Sequence, residues 1–280
     1  RLRVREQTGI PFEHIFLTAT HTHTGPAYHP NIFELNSHRR KFDGSVEEAI
    51  AREGYPDRLR DNIVKAIVSA HDKAVPVTLE TATGRISDLS FNRRFLLSDG
   101  KVRTNPGVGN RSIVKSVGPI DPELHTVLIK RSGDDALLGV VSNFAVHSDT
   151  RGGTGFSADY PGVLARELEK ELGDEVVSLF LQGASGDLNH VNVRKGSERL
   201  KTDGIGGRLA QEILSMKDQR KAVAASGLGA SSEVVYAPLQ SYNEAELIWA
   251  EDSEAASKYG ETGLFQLRRP MKIRSLQRIR

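Results

Sequence analysis

The sequence predicts an α/β fold in the broad sense, mixed β-sheets covered by helices, and three observations carry that reading. Short β-branched apolar runs such as Val176 to Leu181 have the length and composition of strands. Between such runs lie stretches with apolar residues at helical spacing, such as Leu164, Leu168 and Leu172. Several strand-like runs are apolar throughout, as expected of sheets covered on both faces.

Taken in order, Ile15 to Ala19 reads as a buried strand. The run Thr20 to Pro26 (Thr-His-Thr-His-Thr-Gly-Pro) follows it directly. Tyr28 to Gly54 is a polar insertion with a turn at Phe42 to Ser45, expected to form a flap. Pro56 sits at a helix start, and Leu59, Ile63, Ile67 and Ala70 recur at helical spacing to about His71. Val77 to Ile86 is strand-like, and Ser98-Asp99-Gly100 is a hairpin signal within Leu96 to Lys101. Asn105 to Gly118, rich in Gly, Pro and Asn, reads as loop. Thr126 to Lys130 and Leu137 to Val146 read as two strands around a turn at Ser132 to Asp135. Pro161 opens a helix that Gly173 ends. Val176 to Leu181 is the next buried strand, closed by a tight strand-to-helix turn at Gly183 to Gly186. Ile205, Leu209 and Ile213 mark a helix, and Asn243 to Lys258 another with Trp249 on its buried side. Met271 to Arg280 alternates like a strand.

Composition narrows the chemistry. The chain has 280 residues, with 38 Lys plus Arg against 36 Asp plus Glu, a net charge of +2. Neither nucleic acid nor an anionic membrane is called for as partner. There is no cysteine, which excludes disulfides, thiolate nucleophiles and Cys-ligated zinc, so a metal must sit on His, carboxylate or Tyr. No segment has the roughly 18 consecutive apolar residues of a membrane span. The chain opens on Arg1 and stops in a strand-like run, so it reads as a single catalytic domain cut at both ends.

Polar residues collect where three strand-like runs end. The first run gives His21 and His23, the second His147 and Asp149, the third Asp187, Asn189 and His190. In open α/β sheets ligands bind beyond the carboxyl ends of the strands. In an extended backbone His21 and His23 project to the same side, about 7 Å apart at Cα. Both can then reach one metal, or one can bind it while the other meets substrate. A bare His-x-His equally describes two polar histidines satisfied by backbone carbonyls. His147 alone reads as a strand-end histidine, and Asp159 before Pro161 as a helix cap. Arg93 can hold a substrate oxygen in bidentate fashion or simply lie at the surface.

Taken together, the motifs resemble the neutral/alkaline (non-lysosomal) ceramidase family. The residues that carry the resemblance are Ala19 to Pro26, Asn92-Arg93, Gly118 to Glu123, Asn143 to His147 and Gly186-Asp187, in the family's order from about Phe16 to Asn192. The resemblance implies a neutral-ceramidase-like catalytic domain with one catalytic Zn2+, held by His21 and His147. It places His23 over the substrate, stabilising a developing oxyanion, and Arg93 on a substrate or product oxygen. Two further ligands, a Glu and a Tyr, have no matching segment and are expected beyond Arg280. Extracytoplasmic placement is likewise implied by the family. One departure concerns the segment Gly186 to Val191: the family's active-site serine is here Asn189, beside Asp187. Asn cannot be a nucleophile or proton relay, though it can donate to an oxyanion. His190 adds a candidate substitute ligand or base in the same stretch.

The expected function is therefore zinc-dependent hydrolysis of the amide bond of a small-molecule or lipid-like substrate, with the acyl group open. Two alternatives remain: a metal-dependent hydrolase of another class, ester-cleaving or amidohydrolase-like, and a non-catalytic binding domain on the same fold. The predicted hairpins oppose the amidohydrolase barrel, which is built from repeated strand–helix units.

Overall fold

The computed structural model describes residues 1–26, 54–193, 200–224, 227, 229–236, 238–239, 241–258 and 264–279. The chain divides into two compact units, Arg1–Ala27 with Leu59–Ala230, and Tyr28–Arg58 with Ser231–Arg280. Six described helices are α1 (Leu2–Thr8), α2 (Tyr55–Asp72), α3 (Asp159–Leu172), α4 (Thr202–Ser215), α5 (Glu244–Lys258) and α6 (Leu264–Ile279). The strands are β1 (Val77–Arg85), β2 (Phe91–Asn92), β3 (Arg94–Leu97), β4 (Val102–Thr104), β5 (Ile113–Ser116), β6 (Glu123–Arg131), β7 (Leu137–Phe144), β8 (Val177–Gln182), β9 (Leu188–Asn189) and β10 (Lys221–Ala222). The fold is α/β with mixed sheets.

The central sheet of the first unit has the order β10-β1-β6-β7-β8. β1, β6 and β7 form an antiparallel meander, while β8 joins β7 in parallel, with Val141 opposite Leu179. A parallel neighbour requires a crossover, and α3 supplies it. Two small sheets, β2-β9 and β4-β3-β5, complete the unit.

Alternation selects the buried face. On β6, Leu124, Thr126 and Leu128 are buried while their neighbours are not. Against this face pack Tyr160, Leu164 and Leu168 of α3 and Ile205, Leu209 and Ile213 of α4, with Val140, Phe144 and Phe180 from the sheet. α3 ends at Gly173, whose φ of 111° a side chain would rarely adopt. α4 lies close enough to α3 that a Cβ on Gly206 would sit 2.5 Å from Val163 Cβ. A smaller core joins Val4 of α1, Ile15 and Val64 of α2. In the second unit α5 and α6 bury Ala250, Ile273 and Leu276 and are linked by Glu246–Arg269 and Glu251–Arg274 ion pairs.

Several expectations are corrected. Ile15 to Ala19 is not a strand; after a 3-10 turn at Phe12–His14 the segment runs unpaired, with Ile15 buried but Phe16 and Leu17 exposed. The sheet is covered by α3 and α4 on one face, and on the other Val77, Val177 and Leu179 are exposed among the described residues. Asn105 to Gly118 contains strand β5, because Ile113 to Ser116 finds the free edge of β3. The turn after β8 leads into β9, not into a helix. Trp249 is exposed, and Ala250 takes the buried position. The run expected as a strand from Met271 to Arg280 instead lies, as far as Ile279, in α6, where Ile273 and Leu276, three apart, share a face, and Arg280 is outside the described residues. The expected flap at Tyr28 to Gly54 lies, apart from Gly54, outside the described residues.

Candidate metal centre

β7 and β8 point the same way, and the segments that leave their carboxyl ends build the site. β7 ends at Phe144, and the chain runs through buried Ala145 and Val146 to His147, itself 5% exposed. β8 ends at Gln182, and the turn behind it carries Ser185 to Asp187. The carbonyl of Ser185 lies 3.1 Å from His147 Nδ1. A carbonyl only accepts, so Nδ1 carries the proton and Nε2 is left with its lone pair.

The His21 to Thr24 segment is laced onto the loop after β7. His23 N–H donates to Ser148 O (3.1 Å), and Ser157 N–H donates to Thr24 O (3.1 Å). The Thr22 hydroxyl donates to Ser157 O at 2.8 Å. His21 takes a left-handed backbone, φ 63°, an uncommon conformation for a non-glycine residue that turns its ring back toward His147.

Three imidazole nitrogens then converge. Nε2 of His21 lies 3.2 Å from Nε2 of His147, His23 Nε2 lies 3.1 Å from His147 Nε2, and His23 and His21 are 3.4 Å apart. These three form a group able to hold a metal ion. Zinc–nitrogen bonds of about 2.0–2.1 Å in tetrahedral array place ligand nitrogens about 3.3 Å apart, which the triangle matches. The electrostatics agree. Partial burial, then the charges of His23 and Arg93, hold the His21 imidazole below its usual pKa, against a smaller opposing pull from Asp149. Burial also lowers His147, outweighing its bond to Ser185. Both rings are therefore neutral at neutral pH, as a metal ligand must be.

Around the triangle, Asp149 Oδ1 lies 3.4 Å from His23 Nδ1. Arg93 donates from Nε and Nη2 to the Gly186 carbonyl (3.2 and 2.7 Å), and its own N–H donates to Asp187 O. Asp187 Oδ2 accepts from Asn92 Nδ2 at 2.8 Å, so this carboxylate braces the turn. The fit is tight: a Cβ on Gly118 would lie 2.5 Å from Asn92 Nδ2. Asn189 donates to Asn105 Oδ1 (2.9 Å) and accepts from Val191 N–H (2.9 Å), leaving one amide N–H. A cavity of about 450 Å³ has Arg93, Asn105, Asp149, Asn189, His190 and Lys201 in its lining. His190 is buried there and is not a member of the histidine triangle.

The braces are not legible in the sequence: Ser185 acts through its carbonyl and Ser157 through its carbonyl and N–H, backbone groups that no side-chain pattern reveals. Gln182 was detectable as a polar end to an apolar strand. Its amide donates to Val146 O (2.8 Å) and its Oε1 accepts from the Ser148 hydroxyl (3.1 Å), tying β8 to the loop behind His147.

Residues 10–225 match the family model described as neutral/alkaline non-lysosomal ceramidase, N-terminal. The chain belongs to this family. The match runs past Asn192, where recognisable motifs fade. A neutral ceramidase of Mycobacterium tuberculosis is 26% identical over 187 residues, covering 63% of this chain and 26% of that protein. A neutral ceramidase of Pseudomonas aeruginosa is 27% identical over 241 residues, covering 79% of this chain and 33% of the relative. The chain thus spans about a quarter to a third of the length of these relatives. The crystal structure of the Pseudomonas aeruginosa neutral ceramidase superposes with a TM-score of 0.52 at 25% identity, over 78% of this chain and 34% of that one. A ceramidase complexed with C2 gives the same score and identity over 78% and 33%.

Proposed function

We propose that this chain carries the histidine half of a zinc site that hydrolyses the amide bond of an N-acyl substrate. The observation that carries the reading is the triangle of Nε2 atoms, 3.1 to 3.4 Å on each side. His21 and His147 would hold the metal. When bound, zinc supplies a Lewis acid and lowers the pKa of a coordinated water toward ~7.

The chain's own residues do the rest. Ser185 O holds the Nδ1 proton of His147 and so aims Nε2. His23, in contact with Asp149, faces the substrate carbonyl and donates to its developing negative charge. Arg93 is anchored by two bonds to Gly186 O, and its remaining N–H groups hold a substrate oxygen. Asn189 keeps one N–H for the same purpose, while Asp187 holds the turn through Asn92. Family membership supports hydrolysis of an amide, and ceramide itself is one member of the substrate class to be tried. The family also favours extracytoplasmic placement, which fractionation of cells making the complete polypeptide checks. None of the described helices is long and apolar enough to cross a membrane.

The equal spacing also admits His23 as a third ligand. Metal content of the complete polypeptide decides. His21→Ala and His147→Ala are expected to lose zinc, while His23→Ala is expected to keep it and lose about 100-fold or more in kcat. Zinc retained by H147A would end the proposal; zinc lost from H23A would move His23 into the coordination sphere.

A further inference from the structure

Asp159 gathers the loop behind His147 into a fixed shape, and neither the motifs quoted above nor the metal group includes it. It is 2% exposed and has a left-handed backbone, φ 57°. Aspartate tolerates that region better than most residues, yet the conformation still costs free energy and persists only where surrounding structure enforces it. The side chain is not the expected helix cap: α3 has Ala158 at its N-cap, with no side-chain cap bond.

The carboxylate instead receives four donors. Oδ2 accepts from the N–H of Thr150 (3.0 Å) and of Arg151 (3.1 Å). Oδ1 accepts from the Thr150 hydroxyl (2.5 Å) and from Tyr160 N–H (2.7 Å). The Thr150 hydroxyl also lies 2.9 Å from the Thr202 hydroxyl, a contact that ties the cluster to the start of α4. Asp159 N–H donates to Ser157 Oγ at 3.0 Å.

This cluster closes the loop onto which the other histidine segment is laced. Ser148 O, two residues before Thr150, receives His23 N–H, and Ser157, two residues before Asp159, bonds Thr22 and Thr24. Both clamps on the His21 to Thr24 segment therefore hang from a loop whose two ends meet at one carboxylate. We propose that Asp159 is a positioning residue that sets the His23–His147 spacing, and through it the geometry of the metal site.

Asp159→Asn in the complete polypeptide is the test. The amide nearly matches the carboxylate in size and accepts left-handed backbone, but it cannot accept from all four donors: its NH2 must face N–H or O–H groups. Two readouts are made on protein whose circular dichroism and cooperative melting are those of the wild type. A crystal structure of metal-free D159N is expected to show the His23 and His147 Nε2 atoms separated beyond the 3.1 Å seen here. Chelator competition is expected to show zinc affinity lower by about 10- to 100-fold, as for loss of outer partners of metal ligands. An unchanged spacing in folded D159N overturns the inference. Should D159N not fold, Thr150→Val removes one donor and the link to Thr202, and the same spacing decides. The affinity readout rests on the metal reading above. Absence of zinc from the wild type would end that reading, while the spacing still judges Asp159.

Discussion

The proton on His147 Nδ1 is held by the Ser185 carbonyl, and that one bond fixes which nitrogen faces His21 and His23. The ring also titrates in a particular direction. Burial lowers the pKa values of His147 and His21 below the usual 6.5, and the neighbouring Arg93 charge adds to this. In the unfolded chain both rings take up protons near pH 6.5, while in the folded chain they resist protonation to lower pH. The metal-free fold therefore has this contribution in full above 6.5 and loses it as pH falls from 6.5 through the lowered folded values. Imidazole resonances of the metal-free protein are expected to titrate below 6.5 for His21 and His147; midpoints at or above 6.5 would contradict the burial argument. Arg93→Ala removes a cation from both rings, so their midpoints should rise while amide hydrolysis drops by about 100-fold. Of these residues, the three histidines that converge were legible from motif and order. The bonds that orient them run through backbone carbonyls, which carry no residue signature.

At the scale of elements, the crossing of α3 and α4 is set by Gly206. Alanine there gains helix propensity, about 0.5–1 kcal/mol. It also places a methyl 2.5 Å from Val163 Cβ and 2.8 Å from Tyr160 O, and one of those elements must move. Overpacking of this kind costs about 1–3 kcal/mol, so Gly206→Ala is expected to lower the urea midpoint; an unchanged or raised midpoint would show that the helices yield freely. Leu164→Ala, at a fully buried position of the same interface, is expected to cost about 2–5 kcal/mol in the same measurement. These helices were readable because Leu164 and Leu168, like Ile205, Leu209 and Ile213, repeat at the helical period and meet one sheet face. The failures have the opposite cause. Met271 to Ile279 alternates in sequence, but Ile273 and Leu276 lie three apart and serve a helix equally well. Ile15 to Ala19 has strand composition, yet a strand exists only where an edge pairs with it, and composition cannot show whether one does.

For the whole molecule, the sheet places two parallel strand ends side by side, and the loops behind them carry one histidine and its brace. The His21 to Thr24 segment arrives from distant sequence and is held by hydrogen bonds to those loops, not by a strand of its own. The site's assembly is thus coupled to the fold, and zinc that binds the folded state should stabilise it. At a free concentration 100 times Kd the gain is about 2.7 kcal/mol, visible as a higher melting temperature that a chelator reverses. No shift with zinc would mean that the triangle does not bind it. Family membership was legible from motif order, whereas the substrate lies outside what those motifs specify, because Asn189 stands where the family's serine is expected. The most direct measurement is hydrolysis of a panel of N-acyl amides by the complete polypeptide, before and after chelation and after zinc is restored. Zinc-dependent release of fatty acid from at least one amide, absent in H147A, is the predicted result. Turnover that survives both chelation and H147A would contradict the account.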